Sequence, residues 1–323
     1  MKENLAPLRG VYTPPDVATY TMEIVDKRVE QRALALRTSV DPLDRVMRPV
    51  LPGEMVFVNA YTGNGKTAFM QFWARQIVKQ LQQRPTLDEV VVYITWETLV
   101  EELGLYDLCG LTGIDASSAW YGDVTDKEVE ALRVAAMKRA GMPLWVVGDS
   151  LKRRRQHGAL TMKDVSESLR LVEQEHGVKP AIIYVDYIQI VPPANERDDR
   201  RVQVLKNVDA IRQLARDCGA PVVCGCQAGR QVMDRTFKLP EIGDGQETSR
   251  IEQDADKVLA LWYPCKSEPD GTHVEEVNAI VDNRLMIMGI RKQRHAASGQ
   301  VFPLDFDAAR NTFATWDERI DLR

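Results

Sequence analysis

Eight residues constrain this chain more than any others: Ala60-Tyr61-Thr62-Gly63-Asn64-Gly65-Lys66-Thr67. An apolar run, Met55 to Val58, precedes them, and a helix-like run from Lys66 to Gln83 follows. Strand, glycine-containing turn and Gly-Lys-Thr at a helix start form the layout of a phosphate-binding loop. Gly63 and Gly65 let the backbone curl so that successive N–H groups point at one anion. The helix start adds the positive end of its dipole. Lys66 is placed to meet the outer phosphates, and the Thr67 hydroxyl to help hold Mg²⁺. Thr62, Gly63, Asn64, Gly65 and Ala68 complete the expected nucleotide-binding set. Ala60 stands where the strict pattern has glycine, so the fit is slightly relaxed. The plain alternative is an ordinary glycine-containing turn, which the strand and helix on either side disfavour.

A chain of 323 residues can bury a large core and has room for one big domain or two. Its net charge of −5 argues against a bulk basic surface for nucleic acid, but not against a local basic channel. The five cysteines are scattered and odd in number, and with four histidines they give no zinc spacing. Cys224-Gly225-Cys226 lies in an apolar run, where buried thiols are expected. The start, Met1-Lys2-Glu3-Asn4, lacks an apolar signal segment, and no 18-residue apolar run occurs. A reducing cytoplasm and no membrane contact are the expectation.

Residues 1–16 are punctuated by Pro and Gly and predict an extended arm. Residues 17–37 predict a charged helix, with Met22, Val25, Val29 and Ala33 roughly along one side. It either packs on its own domain or docks on a neighbouring subunit. Asp41-Pro42-Leu43-Asp44 predicts a turn. Phe69, Trp73, Ile77 and Leu81, four apart, give the helix after the phosphate loop one apolar face. Val90 to Thr95 is a near-continuous apolar strand of the kind buried on both faces of a parallel sheet. Helices are expected over about 98–110, 126–140, 162–177 and 201–217, and strands at 143–147, 181–186 and 221–227. Lys152-Arg153-Arg154-Arg155 is a basic run, usually a solvated loop and less often a nucleic-acid contact. Residues 228–250 predict a long loop of functional kind. Shorter strands are expected at Lys257–Tyr263, Val277–Asp282, Met288–Lys292 and Gln300–Leu304. Alternating strands and helices with a strand-rich tail indicate an α/β fold built on a mainly parallel sheet.

Three strand ends could carry chemistry, because an open parallel sheet delivers them to one ligand-binding edge. Asp186 could hold a metal-bound water and complete the Thr67 side of Mg²⁺ coordination. Glu97 could polarise a water attacking the γ-phosphate, or could simply sit at a helix start. Gln227 could sense the γ-phosphate, or could bond to turn backbone.

Together and in order, these pieces resemble the DnaB family of replicative helicases. Ile94-Thr95-Trp96-Glu97 is similar to the segment that bears the family's catalytic glutamate. Ile183-Tyr184-Val185-Asp186-Tyr187-Ile188-Gln189 resembles the family's Ile-Asp-Tyr-Leu-Gln. Val222 to Arg230 resembles a stretch ending Ser-Gln-Leu-Asn-Arg. Ser249 to Asp256 looks like Ser-Ile-Glu-Gln-Asp-Ala-Asp, and Lys292-Gln293-Arg294 matches Lys-Gln-Arg. The likeness spans roughly residues 20–315.

The resemblance implies a RecA-like P-loop ATPase core over 38–323, preceded by an arm and linker helix over 1–37. It implies ATP and Mg²⁺, a hexameric ring on single-stranded DNA during replication, and a helicase loader or primase as partner. Glu97 would activate water and Gln227 would couple the site to the following loop. Lys292 and Arg294 would act in trans on a neighbour's γ-phosphate, Arg294 as the arginine finger; on physical grounds alone they also suit a solvated basic strand. DNA contact is expected from Arg230, Asp244, Gly245, Gln246, Glu247, Ser249 and Arg250. Two departures stand out. No counterpart of the family's N-terminal helical domain is expected, since the core begins near residue 40. Gln246 stands where the family has Arg, with Arg250 a possible substitute and no aromatic platform between 238 and 250. Two other readings stay open: a RecA-like ATPase acting as an assembly or recruitment switch for protein partners, and, less favoured, a filament-forming recombinase.

Overall fold

The computed structural model describes residues 11–30, 35–86, 88–152, 160–193, 197–245 and 253–316. The chain divides into two compact units, Met1–Leu36 and Arg37–Arg323.

In the first unit, helix α1 spans Pro14–Glu30. It begins inside the stretch expected to be extended. The cause is a reciprocal cap that the two prolines disguised. Thr13 donates from its N–H and hydroxyl to the Asp16 carboxylate at 3.0 and 2.6 Å, and the Asp16 N–H returns to Thr13 Oγ1 at 3.4 Å. Proline is tolerated in such a first turn, where the missing N–H has no helical partner to lose. Val17, Met22, Ile24, Val25 and Val29 on this helix are exposed. Ala33 and residues 1–10 lie outside the described residues.

The second unit opens with a short helix, α2 (Asp41–Val46), where the sequence predicted a turn; Pro42 sits in its first turn. Then come β1 (Met55–Ala60), α3 (Lys66–Leu81), β2 (Glu89–Thr95), α4 (Val100–Thr112) and α5 (Ala116–Tyr121). They are followed by α6 (Asp126–Ala140), β3 (Leu144–Val147), α7 (Met162–His176), β4 (Lys179–Asp186), α8 (Arg200–Asp217) and β5 (Val222–Gln227). The tail holds β6 (Lys257–Trp262), β7 (His273–Val274), β8 (Ala279–Ile280), β9 (Leu285–Gln293), β10 (Val301–Asp307) and β11 (Thr312–Thr315). The strand expected over Val277–Asp282 is only the two-residue β8, because Glu275–Val277 closes into a 3-10 turn and leaves just a small hairpin with β7. The loop expected at 228–250 is partly folded, with 3-10 turns at Arg230–Asp234 and Ile242–Asp244. Arg153, Arg154 and Arg155 lie outside the described residues.

Nine strands form one sheet in the order β11-β10-β9-β6-β1-β5-β4-β2-β3. From β6 to β3 every neighbour is parallel, and β9, β10 and β11 close the other side as antiparallel strands. All six residues of β1 are buried, as a strand covered on both faces requires. On α3, Phe69, Trp73, Ile77 and Leu81 are buried; sinking each such side chain stabilises by about 1.5–3 kcal/mol. Cys109, Cys224 and Cys226 are buried thiols. No helix among the described residues is long and apolar enough to cross a membrane.

Candidate nucleotide site

The parallel order brings the ends of β1, β5, β4 and β2 to one edge, and the chemistry-bearing residues meet there. The turn after β1 has Gly63 at φ 75° and Gly65 at φ 78°, the left-handed region that glycine enters without strain. A Cβ at Gly65 would also lie 2.7 Å from Met286 Cε, the movable end of a flexible side chain, so the positive φ is what calls for glycine. Asn64 is buried inside the turn, accepting from the Tyr263 N–H at 2.8 Å and donating to the Thr62 carbonyl at 3.2 Å. It fixes the turn, so its side chain faces the protein rather than a ligand.

An open cleft of about 460 Å³ lies over this turn. Thr62, Gly63, Gly65, Lys66, Thr67, Ala68, Glu97 and Gln227 all line it. Gln71, Tyr106 and Asn311 also line it. Lys66 Nζ donates to Asp186 Oδ1 at 2.9 Å and lies 3.7 Å from the centre of the Tyr187 ring. Asp186 is fully buried, and its second oxygen accepts from the Tyr93 hydroxyl at 2.9 Å. Burial, and then the Asp186 charge, push the Tyr93 phenol well above its ordinary pKa, so it stays a donor. Gly225, in β5, gives Lys66 its path. A Cβ there would fall 3.0 Å from Lys66 Cδ and 3.1 Å from Tyr187 Cβ.

Glu97 stands exposed in the turn after β2, a turn closed by Thr98 N–H donating to Thr95 Oγ1 at 3.1 Å. Gln227 Nε2 donates to Thr62 Oγ1 at 2.7 Å, tying the end of β5 to the phosphate loop. The donor set suits a magnesium ion: a Thr67 hydroxyl in the cleft and, behind Lys66, the Asp186 carboxylate. No group of three His, Cys, Asp or Glu among the described residues could hold a metal alone.

Lys292 and Arg294 lie elsewhere. Gln293 pairs with Lys257 at the start of β6, and Lys257 pairs with Val56 at the start of β1. Five strand rises of ~3.3 Å, roughly 16 Å, therefore separate that end from the phosphate loop. Arg294 is half exposed, with Nε 3.3 Å from Asp256 Oδ1, and Lys292 Nζ reaches the Gln253 carbonyl at 3.5 Å.

Of the expected DNA-binding residues, Gln246, Glu247, Ser249 and Arg250 lie outside the described residues. Arg230 is exposed at the start of a 3-10 turn. Gly245 bridges to Ala228, and the Gly229 N–H donates to the Asp244 carbonyl at 2.7 Å. The Asp244 carboxylate is buried and engaged: Arg235 donates to both oxygens at 2.6 Å, and the Glu241 N–H to one at 2.7 Å. Burial pushes its pKa up, but the bonds from Arg235 and Glu241 outweigh that and leave it below the usual carboxylate value. Asp244 therefore braces the base of the loop and does not offer its charge to solvent.

Sequence reasoning missed Tyr187, Gln189, Gly225 and Tyr93 as parts of this site. Tyr187 and Gln189 stood inside the quoted Ile183–Gln189 motif. Gly225 carried the one available signal for itself, a glycine interrupting an apolar strand, which marks close approach of another group.

A model of the family described as DnaB-like helicase C terminal domain matches residues 35–315. The replicative DNA helicase DnaC of Bacillus subtilis (strain 168) is 24% identical over 309 residues, covering 95% of this chain and 62% of the relative. The chain thus spans about three fifths of that relative's length. Among solved structures, one described as an ATPase domain superposes with a TM-score of 0.77 at 20% identity, covering 95% of this chain and 100% of that one. A DnaB-like replicative helicase described with its interactions with primase gives 0.74 at 20% identity, over 92% of this chain and 66% of that one. The second unit shares its fold with these two structures.

Proposed function

As this chain belongs to the DnaB-like helicase C terminal domain family, we propose that it is an ATP-driven motor on single-stranded DNA, working as a hexameric ring in replication. Residues 1–37 would serve as arm and linker helix, and 38–323 as the ATPase domain. One observation carries the reading: Lys66, Thr67, Glu97 and Gln227 line one cleft, while Lys292 and Arg294 stand at the opposite end of the sheet. A chain built this way holds nucleotide at one end and offers a cation at the other.

The phosphate-loop N–H groups and Lys66 bind and orient the phosphates. Lys66 would exchange its bond to Asp186 for one to phosphate, and the freed Asp186 carboxylate would be available to help hold Mg²⁺. Thr67, with Asp186 through water, would hold Mg²⁺, which would supply charge neutralisation on the phosphate oxygens. Glu97 takes a proton from the attacking water. Arg294, with Lys292, stabilises transition-state charge in a neighbouring subunit's cleft. Around the loop base braced by Asp244, Arg230, Gly245, Gln246, Glu247, Ser249 and Arg250 contact DNA through side chains and backbone N–H groups. By analogy with the structural relative described with primase, a primase or a helicase loader is the partner class proposed.

ATPase and strand-displacement assays test this. Hydrolysis stimulated by single-stranded DNA, with unwinding of a forked duplex, is expected. Nucleotide-dependent assembly without stimulation or unwinding would instead favour the recruitment switch.

A further inference from the structure

The β4–β5 ladder stops at Val185 and Cys224. Beyond it β4 stays paired with β2 only through Asp186 and then enters a 3-10 turn at Ile188–Ile190, while β5 runs on to Gln227. On its other side β5 stays paired with β1, and the Ala228 N–H donates to the Ala60 carbonyl at 2.9 Å. Neighbouring residues of a strand point their backbone groups to opposite sides. The N–H and C=O of Gln227 therefore face the place that β4 has vacated, and buried backbone groups need partners.

The side chain of Gln189 fills that place. Its Oε1 accepts from the Gln227 N–H at 3.1 Å, and its Nε2 donates to the Gln227 carbonyl at 3.1 Å. A carboxamide carries a donor and an acceptor side by side, as a peptide group does. Gln189 is itself buried, and Arg200 donates to its carbonyl. Gln227 stands between two regions and touches both. Its side chain donates to Thr62 of the phosphate loop at 2.7 Å. The two residues after it pair with Gly245 and Asp244 at the base of the segment that leads to residue 246.

We propose that Gln189 is a positioning residue, substituting for a strand at Gln227 so that a change at the phosphate loop is passed to residues 228–245. The inference rests on the ATPase reading above. Without the clamp, movement of the Gln227 side chain would be absorbed by its own backbone. With it, the residue turns as a unit with the segment that follows.

Gln189→Glu keeps the acceptor and sets an oxygen against the Gln227 carbonyl; Gln189→Met keeps the shape and removes both bonds. Fluorescent ATP-analogue binding, hydrogen exchange of residues 228–245 with and without a non-hydrolysable ATP analogue, and ATPase with and without single-stranded DNA are measured on the full chain. Wild type is expected to gain protection over 228–245 on binding nucleotide. Whichever variant folds should bind nucleotide within about threefold of wild type, lose that protection, and lose roughly tenfold in DNA stimulation, with kcat falling and KM for ATP little changed. Variants that keep the protection, a wild type that never gains it, or a parallel loss of melting temperature and nucleotide affinity would each overturn the proposal. A wild type that hydrolyses ATP without DNA stimulation would overturn the DNA reading, while the exchange measurement would still decide the role of Gln189.

Discussion

Lys66 illustrates how much of a site is set by what is absent beside it. Its stem passes over Gly225, where a Cβ would stand 3.0 Å from Lys66 Cδ and 3.2 Å from Nζ, and 3.1 Å from Tyr187 Cβ. The ammonium end could give way, but Tyr187 Cβ is fixed to backbone. Gly225→Ala is therefore expected to weaken nucleotide binding about tenfold, at a stability cost on the order of 1–3 kcal/mol typical of overpacking. Titration with a fluorescent nucleotide and a urea melt check the two figures. Glu97, which also lines the cleft, is exposed, so exchanging its carboxylate for the amide should cost the fold little. Glu97→Gln should leave binding intact and lower kcat by about 10² or more; turnover at the wild-type rate would remove Glu97 from its role as base.

The element scale shows which parts of the fold could be read in advance and why. Val90 to Thr95 and Ala181 to Asp186 announced themselves because a strand buried on both faces is apolar throughout. A capping box between Thr161 and Asp164 fixes the start of α7, a signal carried by residue type and spacing alone. The four-residue β11, the six-residue α5 and the two-residue β7 and β8 carry too few residues for any period to emerge. The Thr13–Asp16 cap was legible in principle, but two prolines drew attention to chain breaking instead. In the site, residues at strand ends were readable from position. Gln189 was not readable, since its role depends on where the β4–β5 ladder stops. Asp244 was expected to touch nucleic acid, yet its partner Arg235 is nine positions away and no periodicity links them. That pair makes a pH prediction. The folded carboxyl lies below its ordinary value, so its stabilising contribution is present above the unfolded value, about 3.9, and is lost as pH falls through the folded value. Wild type should exceed Asp244→Asn in stability at neutral pH, and urea melts should show the gap closing as pH drops below about 4.

For the whole molecule, the decisive relation is between the cleft and the end of β9. Arg294 cannot serve the cleft of its own chain from a position at the start of β1 and β6. On the proposed reading Arg294→Ala should bind nucleotide normally and lose about 10³ or more in kcat. In mixtures with a Glu97→Gln chain, some activity should return, because one chain supplies an intact cleft and the other an intact cation. Mixtures with no activity beyond that of the parents would refute action between subunits. On the same reading the exposed apolar residues of α1 would make a second contact of this kind, and deleting residues 1–36 should shift the assembly towards smaller species on size-exclusion chromatography.

A body with its plug at one pole and its socket at the other cannot be satisfied by two copies facing each other symmetrically. Each join made head to tail leaves one plug and one socket idle at the ends of the row. Only a row that bends round to meet its own beginning employs every one of them. On the proposed reading, closure is then a condition of full output, and any device that prises the circle open to admit a strand must idle at least one engine while it does so.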